Sequence, residues 1–405
     1  MPNDKNSTLN IETPLILLGG MENTLSITRS LGRLGINVYV AAPHICAAHY
    51  SRFCEKSWIV PEDFNEETFY RQLFIDQTPT HLKGAVIMPC SDSAIQFIAK
   101  YSAALSSHYR LDYAKPEQQL ALLDKQETLR MAKAVGCPAP AFWDVKTIED
   151  IKAIEQEITY PVLIKPILSH KFQQIFQAKL FSIENKDDLF EKSVQVLAAN
   201  LEFMICEHIP GPDSLLNSYY TYIDDKGKEY FSFTKRMIRR SPKNFGGGCL
   251  HATQKLPLTA EMGQRFFRGT NFRGLGNIEF KTDPRDGQLK IIECNARFTA
   301  AQELVLQSGM DIALIIYRHL SGQTCEYQDD YREHLYYWNP LGDLSALKEL
   351  RGLGELTLIN WIKSFLKPIV FPYFSFLDPK PFAFMFKHQV FPRFNHAMRR
   401  RVAVK

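Results

Sequence analysis

None of the eight cysteines, at 46, 54, 90, 137, 206, 249, 294 and 325, lies in a CxxC pair or at metal-like spacing with a histidine. Their scatter excludes a zinc site and a disulfide framework, and it favours small buried thiols in a reducing compartment. Charge of one sign is also scarce. A formal net charge of +4 excludes a dedicated nucleic-acid binder, which would carry a concentrated basic face. The one obvious basic cluster, Arg399, Arg400, Arg401 and Lys405, reads as a solvated end. No stretch approaches the roughly 20 apolar residues of a membrane span. The polar start, Met1 to Thr13, holds no apolar signal core, so secretion is not expected. Neither an internal repeat nor a low-complexity segment is visible. What is present, 405 residues at 45% hydrophobic and 23% charged, supports a sizeable core in two or three domains. A cytoplasmic enzyme is the expectation.

The apolar run from Pro14 to Leu18 ends at Gly19-Gly20 and predicts a buried parallel strand with its turn. A helical pattern from Leu25 to Gly35 and a second strand, Ile36 to Val40, complete a βαβ unit. A later strand is expected at Gly84 to Pro89, giving a small doubly wound α/β domain over residues 12–115. The glycine turn is not GxGxxG, and no acidic residue closes the second strand, which argues against dinucleotide binding. From residue 116 the pattern becomes α+β. Helices are expected at Glu117 to Val135 and Thr147 to Ile158, with short strands at Val162 to Lys165, Lys179 to Ile183 and Phe203 to Glu207. Further strands are expected at Ser218 to Ile223, Glu229 to Lys235, Gly276 to Lys281 and Gln288 to Cys294. The last two are joined by the turn-rich loop Thr282 to Gly287, which suits a hairpin. This second domain covers 116–325. The remainder, 326–405, is dense in aromatics and broken by Pro368, Pro372, Pro379, Pro381 and Pro392, which forbid one continuous helix.

The hairpin carries the strongest chemical signal. Period-two alternation puts Glu293 and Asn295 on one face, and Glu279 can face them across the ladder. Two carboxylates and an amide oxygen suit a hard divalent cation, and Arg297 can fork onto a phosphate or acyl-phosphate oxygen. The competing reading is a charged, solvated hairpin face. Lys165 closes the apolar strand Pro161 to Pro166, where a lysine calls for an anionic partner such as a phosphate. Lys125 opens a helix, where dipole and cation together favour phosphate, although taken alone it reads as surface. In Glu207-His208-Ile209-Pro210-Gly211-Pro212-Asp213 a strand ends in a rigid bend that could serve an adenine edge and a ribose, or simply be a capped loop. Asp92, at the end of a strand, reads as a helix cap, with a place facing the cleft as the alternative. The segment Lys235 to Arg240 with Phe245 to Gly248 reads either as an anion clamp with a flexible glycine loop or as an exposed basic turn.

In order, Asp124-Lys125, Lys165-Pro166, Glu207-x-x-x-Gly211-x-Asp213, Asn277-x-Glu279 and Glu293-x-Asn295-x-Arg297 resemble the ATP-grasp superfamily. The resemblance is to its carboxylate–amine ligase branch, the D-aspartate ligase-like proteins, and it runs from about residue 14 to 325. It implies a Rossmann-like pre-ATP-grasp domain, then an ATP-grasp domain of two α+β subdomains clasping ATP, with the aromatic extension appended. It assigns Lys125 and Lys165 to the ATP phosphates, Glu207 and its neighbours to adenine, and Asp213 to the ribose. Glu279, Glu293 and Asn295 would bind magnesium, or manganese in its place, and Arg297 would steady the transferred phosphoryl group or the acyl phosphate. A flexible phosphate-covering loop would be Ser169-His170-Lys171-Phe172, with Lys179 on the next strand. The implied partners are ATP and small carboxylate and amine substrates.

Two rival functions follow from the same motifs: a bicarbonate or carbamoyl-phosphate-type enzyme, and an ATP-binding regulatory module without turnover. For the aromatic stretch Leu358 to Phe394, packing onto the body or onto the second subunit of a homodimer is favoured over peripheral membrane contact.

Overall fold

The computed structural model describes residues 9–112, 115–167 and 169–390. The basic residues Arg399, Arg400, Arg401 and Lys405 lie outside the described residues, as do the side chains of Ser169 and His170.

Three sheets organise the chain. The first is parallel, in the order β3-β2-β1-β4, from β1 (Leu15–Leu18), β2 (Val38–Pro43), β3 (Lys56–Val60) and β4 (Val86–Pro89). All four residues of β1 are buried, as an apolar run in a sheet covered on both faces requires. The turn into the helix Glu22–Arg33 is plain and tight. Gly19 and Gly20 take left-handed φ of 71° and 78°, and a Cβ on Gly20 would lie 2.6 Å from Cβ of Cys90.

The second sheet is antiparallel, in the order β5-β8-β6-β7, from β5 (Phe142–Val145), β6 (Val162–Pro166), β7 (Phe181–Ile183) and β8 (Phe203–Glu207). It has its own core around Ile164, Phe172, Leu189 and Phe203. Two expectations change here. The stretch expected to be one helix from Glu117 to Val135 is two, Pro116–Leu123 and Lys125–Ala134. Asp124 breaks it because its carboxylate accepts from the amides of Gln126 and Glu127 and caps the second helix. The expected flexible loop at Ser169 to Phe172 belongs to a helix, Ser169–Phe176, whose Phe172 and Phe176 pack on Phe181. Lys179 sits just before β7 rather than in it.

The third sheet has seven strands in the order β13-β12-β9-β10-β11-β14-β15. They are β9 (Leu216–Ile223), β10 (Glu229–Ser241), β11 (Gly247–Thr253), β12 (Gly274–Thr282), β13 (Leu289–Asn295), β14 (Tyr336–Trp338) and β15 (Ile369–Val370). All neighbours are antiparallel except β14 and β15. The basic segment Lys235 to Arg240 is therefore no exposed turn: it continues β10 and pairs with β11, with Lys235 and Arg239 buried.

The aromatic region closes onto this body. Its strand β14 pairs with β11, and Asp343 in the helix Pro340–Gly352 takes a two-pronged ion pair from Arg239, at 2.6 and 3.0 Å. The indole N–H groups of Trp338 and Trp361 donate to the same carboxylate. Arg29 reaches Asp378 at 2.9 Å and also donates to the carbonyls of Pro372 and Tyr373. Other apolar residues of the region stay in solvent, Phe376 at 89% and Leu366 at 80% exposure. No helix among the described residues is long and apolar enough to cross a membrane.

Candidate functional site

A cavity of about 630 Å³ lies where the three sheets meet. Lys165 at the end of β6 and Lys125 at the start of its helix both line it. Burial lowers the Lys125 ammonium below its ordinary range; Glu293 opposes that effect and Lys165 adds to it. Lys125, which reads alone as a surface residue, is thus a cavity residue.

Facing these lysines is the β12–β13 hairpin. Its register sets Glu279 directly opposite Glu293 and Asn277 opposite Asn295. Burial first, and then the Glu293 carboxylate, push the Glu279 carboxyl up to about 7. Among the described residues neither carboxylate has a cation within ion-pair distance; the Lys235 ammonium acts on Glu279 only through space. Two adjacent carboxylates with an amide beside them, neither in a direct ion pair among the described residues, fit a divalent cation. Asn295 Nδ2 donates to Glu293 Oε1 at 3.3 Å, which turns the amide into the cluster.

Arg297 lies just past β13 and lines the same cavity. Its guanidinium pairs with Asp92, Nε to Oδ1 at 2.5 Å, across the junction with the first sheet. Asp92 is not the helix cap expected of it: Ser91 is, its hydroxyl accepting from the Ala94 amide, and Asp92 instead orients Arg297.

The bend after β8 departs from expectation in one respect. Glu207, His208 and Ile209 line the cavity, but the Glu207 carboxylate is occupied by the Ala141 amide at 2.9 Å and by Arg285. Asp213 does not stand on the wall. Its carboxylate accepts from Arg240 Nε at 2.7 Å, so it positions Arg240, which does face the cavity.

Three lining residues, Lys281, His251 and Glu22, had no role in the sequence reading, and a fourth, Lys235, was read only as part of a basic segment. Lys281 donates from Nζ to the carbonyls of Ile209 and Gly211, each at 2.9 Å, and so fixes the bend. Burial lowers its ammonium to about 8. The alternation Asn277, Glu279, Lys281 along β12 was the available signal for it. Lys235 is buried and donates to Ser218 Oγ at 3.0 Å and His251 Nδ1 at 3.4 Å. His251 itself is held well below its ordinary value by burial and by Lys235, hence neutral. Glu22, the first residue of its helix, lines the cavity and accepts from the hydroxyls of Tyr373 at 3.0 Å and Tyr337 at 3.4 Å. Nothing local in the sequence joins positions 22, 337 and 373.

No protein-family model matches the chain. It is 22% identical over 326 residues to a D-aspartate ligase of Enterococcus faecium, covering 77% of each protein. The biotin carboxylase domain of 2-oxoglutarate carboxylase from Hydrogenobacter thermophilus, solved with MgADP and bicarbonate, superposes with a TM-score of 0.63 at 16% identity over 80% of this chain and 73% of that one. An L-amino acid ligase of Bacillus licheniformis gives 0.60 at 16% identity, over 80% and 78%. N5-carboxyaminoimidazole synthetase of Staphylococcus aureus with ADP gives 0.59 at 18%, over 79% and 80%. The chain therefore shares the fold of these structures, and its sequence is similar to that of the D-aspartate ligase.

Proposed function

We propose that the chain is a magnesium- and ATP-dependent ligase that activates a carboxylate as an acyl phosphate and joins it to an amine. The observation that carries this reading is the meeting, on one cavity, of Lys125 and Lys165 with the opposed carboxylates Glu279 and Glu293. The two lysines would hold the ATP phosphates, with Glu279, Glu293 and Asn295 holding the metal and backbone groups of residues 207–209 receiving adenine. Asp213 is left out of the ribose contact because Arg240 occupies it. A bound magnesium would neutralise charge shared between the β- and γ-phosphates.

In-line attack by the acid's oxygen on the γ-phosphorus forms the new O–P bond and expels ADP. Arg297, oriented by Asp92, would hold the resulting acyl phosphate. The ammonium first gives up one proton to solvent; the neutral nitrogen then attacks the carbonyl carbon, phosphate leaves, and a second proton passes from nitrogen to solvent. The cationic wall does most of the work by cancelling charge as it develops.

The D-aspartate ligase and L-amino acid ligase relatives make amino acids the first substrates to try. The test is ADP release across a panel of acids, with hydroxylamine added to trap acyl phosphate as hydroxamate. Acid-dependent hydroxamate supports the reading; ADP binding without any turnover would leave a regulatory module. The second reading, a bicarbonate-using enzyme, draws on the carboxylase and N5-carboxyaminoimidazole synthetase structures. It predicts ADP release driven by bicarbonate alone. One of the similar structures is described as a dimer, and light scattering would test the same state here.

A further inference from the structure

The cavity carries an acidic group outside the hairpin. Along the hairpin and the phosphate side it is lined by lysines and arginines, each facing a carboxylate or suited to a phosphate. Glu22 lines it as well. Its carboxylate takes two tyrosine hydroxyls, and among the described residues it has no cation within ion-pair distance. Arg29 of the same helix is committed to Asp378, and Arg297 to Asp92.

This group lies close to the reacting centre. The side-chain amide of Asn23, next to Glu22, donates to the carbonyl of Phe298, next to Arg297, at 2.9 Å, and to the carbonyl of Cys90 at 2.8 Å. Glu22 and Arg297 are thus each one residue from a shared buried hydrogen bond. Burial raises the Glu22 carboxyl, and the helix N-terminus and tyrosines favour its ionised form. A desolvated carboxylate without a cation, open to a cavity, is completed by a ligand that brings the positive charge and N–H donors.

We infer that Glu22, held by Tyr337 and Tyr373, is the subsite for the ammonium group of the amine-bearing substrate, so that the aromatic C-terminal region selects what is joined at the Arg297 end. This assignment rests on the ligase reading only for the word substrate; the ammonium site stands on the geometry. Two χ-restrained tyrosines fix the carboxylate so that a cation meets a preformed receptor. A single carboxylate suits a monocation, and an acyl chain in the same place would leave Glu22 unpaired.

The test is calorimetric titration of the full chain with glycinamide, which carries an ammonium and no carboxylate, beside N-acetylglycinamide, which carries neither. Wild-type chain should bind glycinamide and not its acetylated form. Glu22→Gln keeps the shape and should weaken glycinamide binding at least tenfold, and the double change Y337F with Y373F should weaken it several-fold. An unaltered thermal melt and ADP affinity would show that each variant is folded. Equal binding to wild type and Glu22→Gln, or no binding to wild type, overturns the subsite. Hydroxamate formation by wild type, measured separately, reports on the ligase reading. Glu22-dependent binding without hydroxamate would retain the ammonium site and discard that reading.

Discussion

At the scale of single residues, the facing pair Glu279 and Glu293 governs two expectations. Glu293→Gln removes a metal charge while keeping volume, so turnover should fall at least ~100-fold with little change in the thermal melt. Near-normal turnover would remove Glu293 from the metal set. The second concerns pH. Glu279 is raised to about 7 by burial and by Glu293, so below that pH a proton competes with the cation. Manganese affinity, followed by electron paramagnetic resonance, should fall as pH drops from 8 to 6 and be nearly flat above 8. The sign for stability is opposite to that of a salt-bridged carboxylate. In the metal-free chain the raised carboxyl costs stability as pH rises from its unfolded range toward 7. The arrangement of this trio was legible because a strand alternates its faces, so spacing alone set Glu293 beside Asn295. Glu22 and His251 were not, because their neighbours are more than 80 positions away or on strands whose pairing the sequence does not declare. The partner of Asp213 was hidden for a related reason: its spacing after Gly211 fits the motif, but the arginine that pairs with it comes from β10.

At the scale of elements, the joint between β10 and the helix Pro340–Gly352 turns on Asp343. The carboxylate is fully buried and accepts from Arg239, Trp338 and Trp361. Removing it strands a buried guanidinium and two indole N–H groups. Asp343→Ala should cost about 3–5 kcal/mol in urea unfolding, with the slope against denaturant unchanged. A loss under 1 kcal/mol would mean that water reaches Arg239 and the joint is not sealed. Strands were read well wherever apolar runs met turn residues, as in β1, β6, β12 and β13. The helix Ser169–Phe176 was taken for a loop because a family pattern outweighed its own period: Phe172 and Phe176 stand four apart and pack on Phe181. The full length of β10, thirteen residues, was also missed. Its basic second half reads as surface until β11 and Asp343 are placed against it.

At the scale of the whole molecule, the aromatic region is part of the body rather than an appendage. Truncation before β14 would expose the edge of β11 and remove the buried residues Tyr337, Asp343, Val370, Tyr373 and Asp378 together. A chain ending at residue 335 should be recovered as aggregate, judged by size-exclusion chromatography. A soluble monomer with an unchanged melt would refute this. Deleting residues 340–405 would also remove Asp343, Val370, Tyr373 and Asp378 from the body, so deletion is a poor probe of membrane contact. Substituting the exposed Leu366 and Phe376 leaves the packing intact and is the cleaner probe. Three domains in series were what the sequence suggested; in space, the last of them supplies two strands to the middle one and two hydroxyls to the first.

Those two hydroxyls also set an order of events. Glu22 is made early and Tyr373 late, and about 5–20 residues are added each second during synthesis. Roughly 20–70 s therefore pass between the emergence of the carboxylate and that of its second phenol. Only in the last part of that interval, once β13 has been made, can the nascent chain present both lysines and the acidic hairpin while the Glu22 end of the cavity stays open to water. The wall that tells one amine from another is the last to be built.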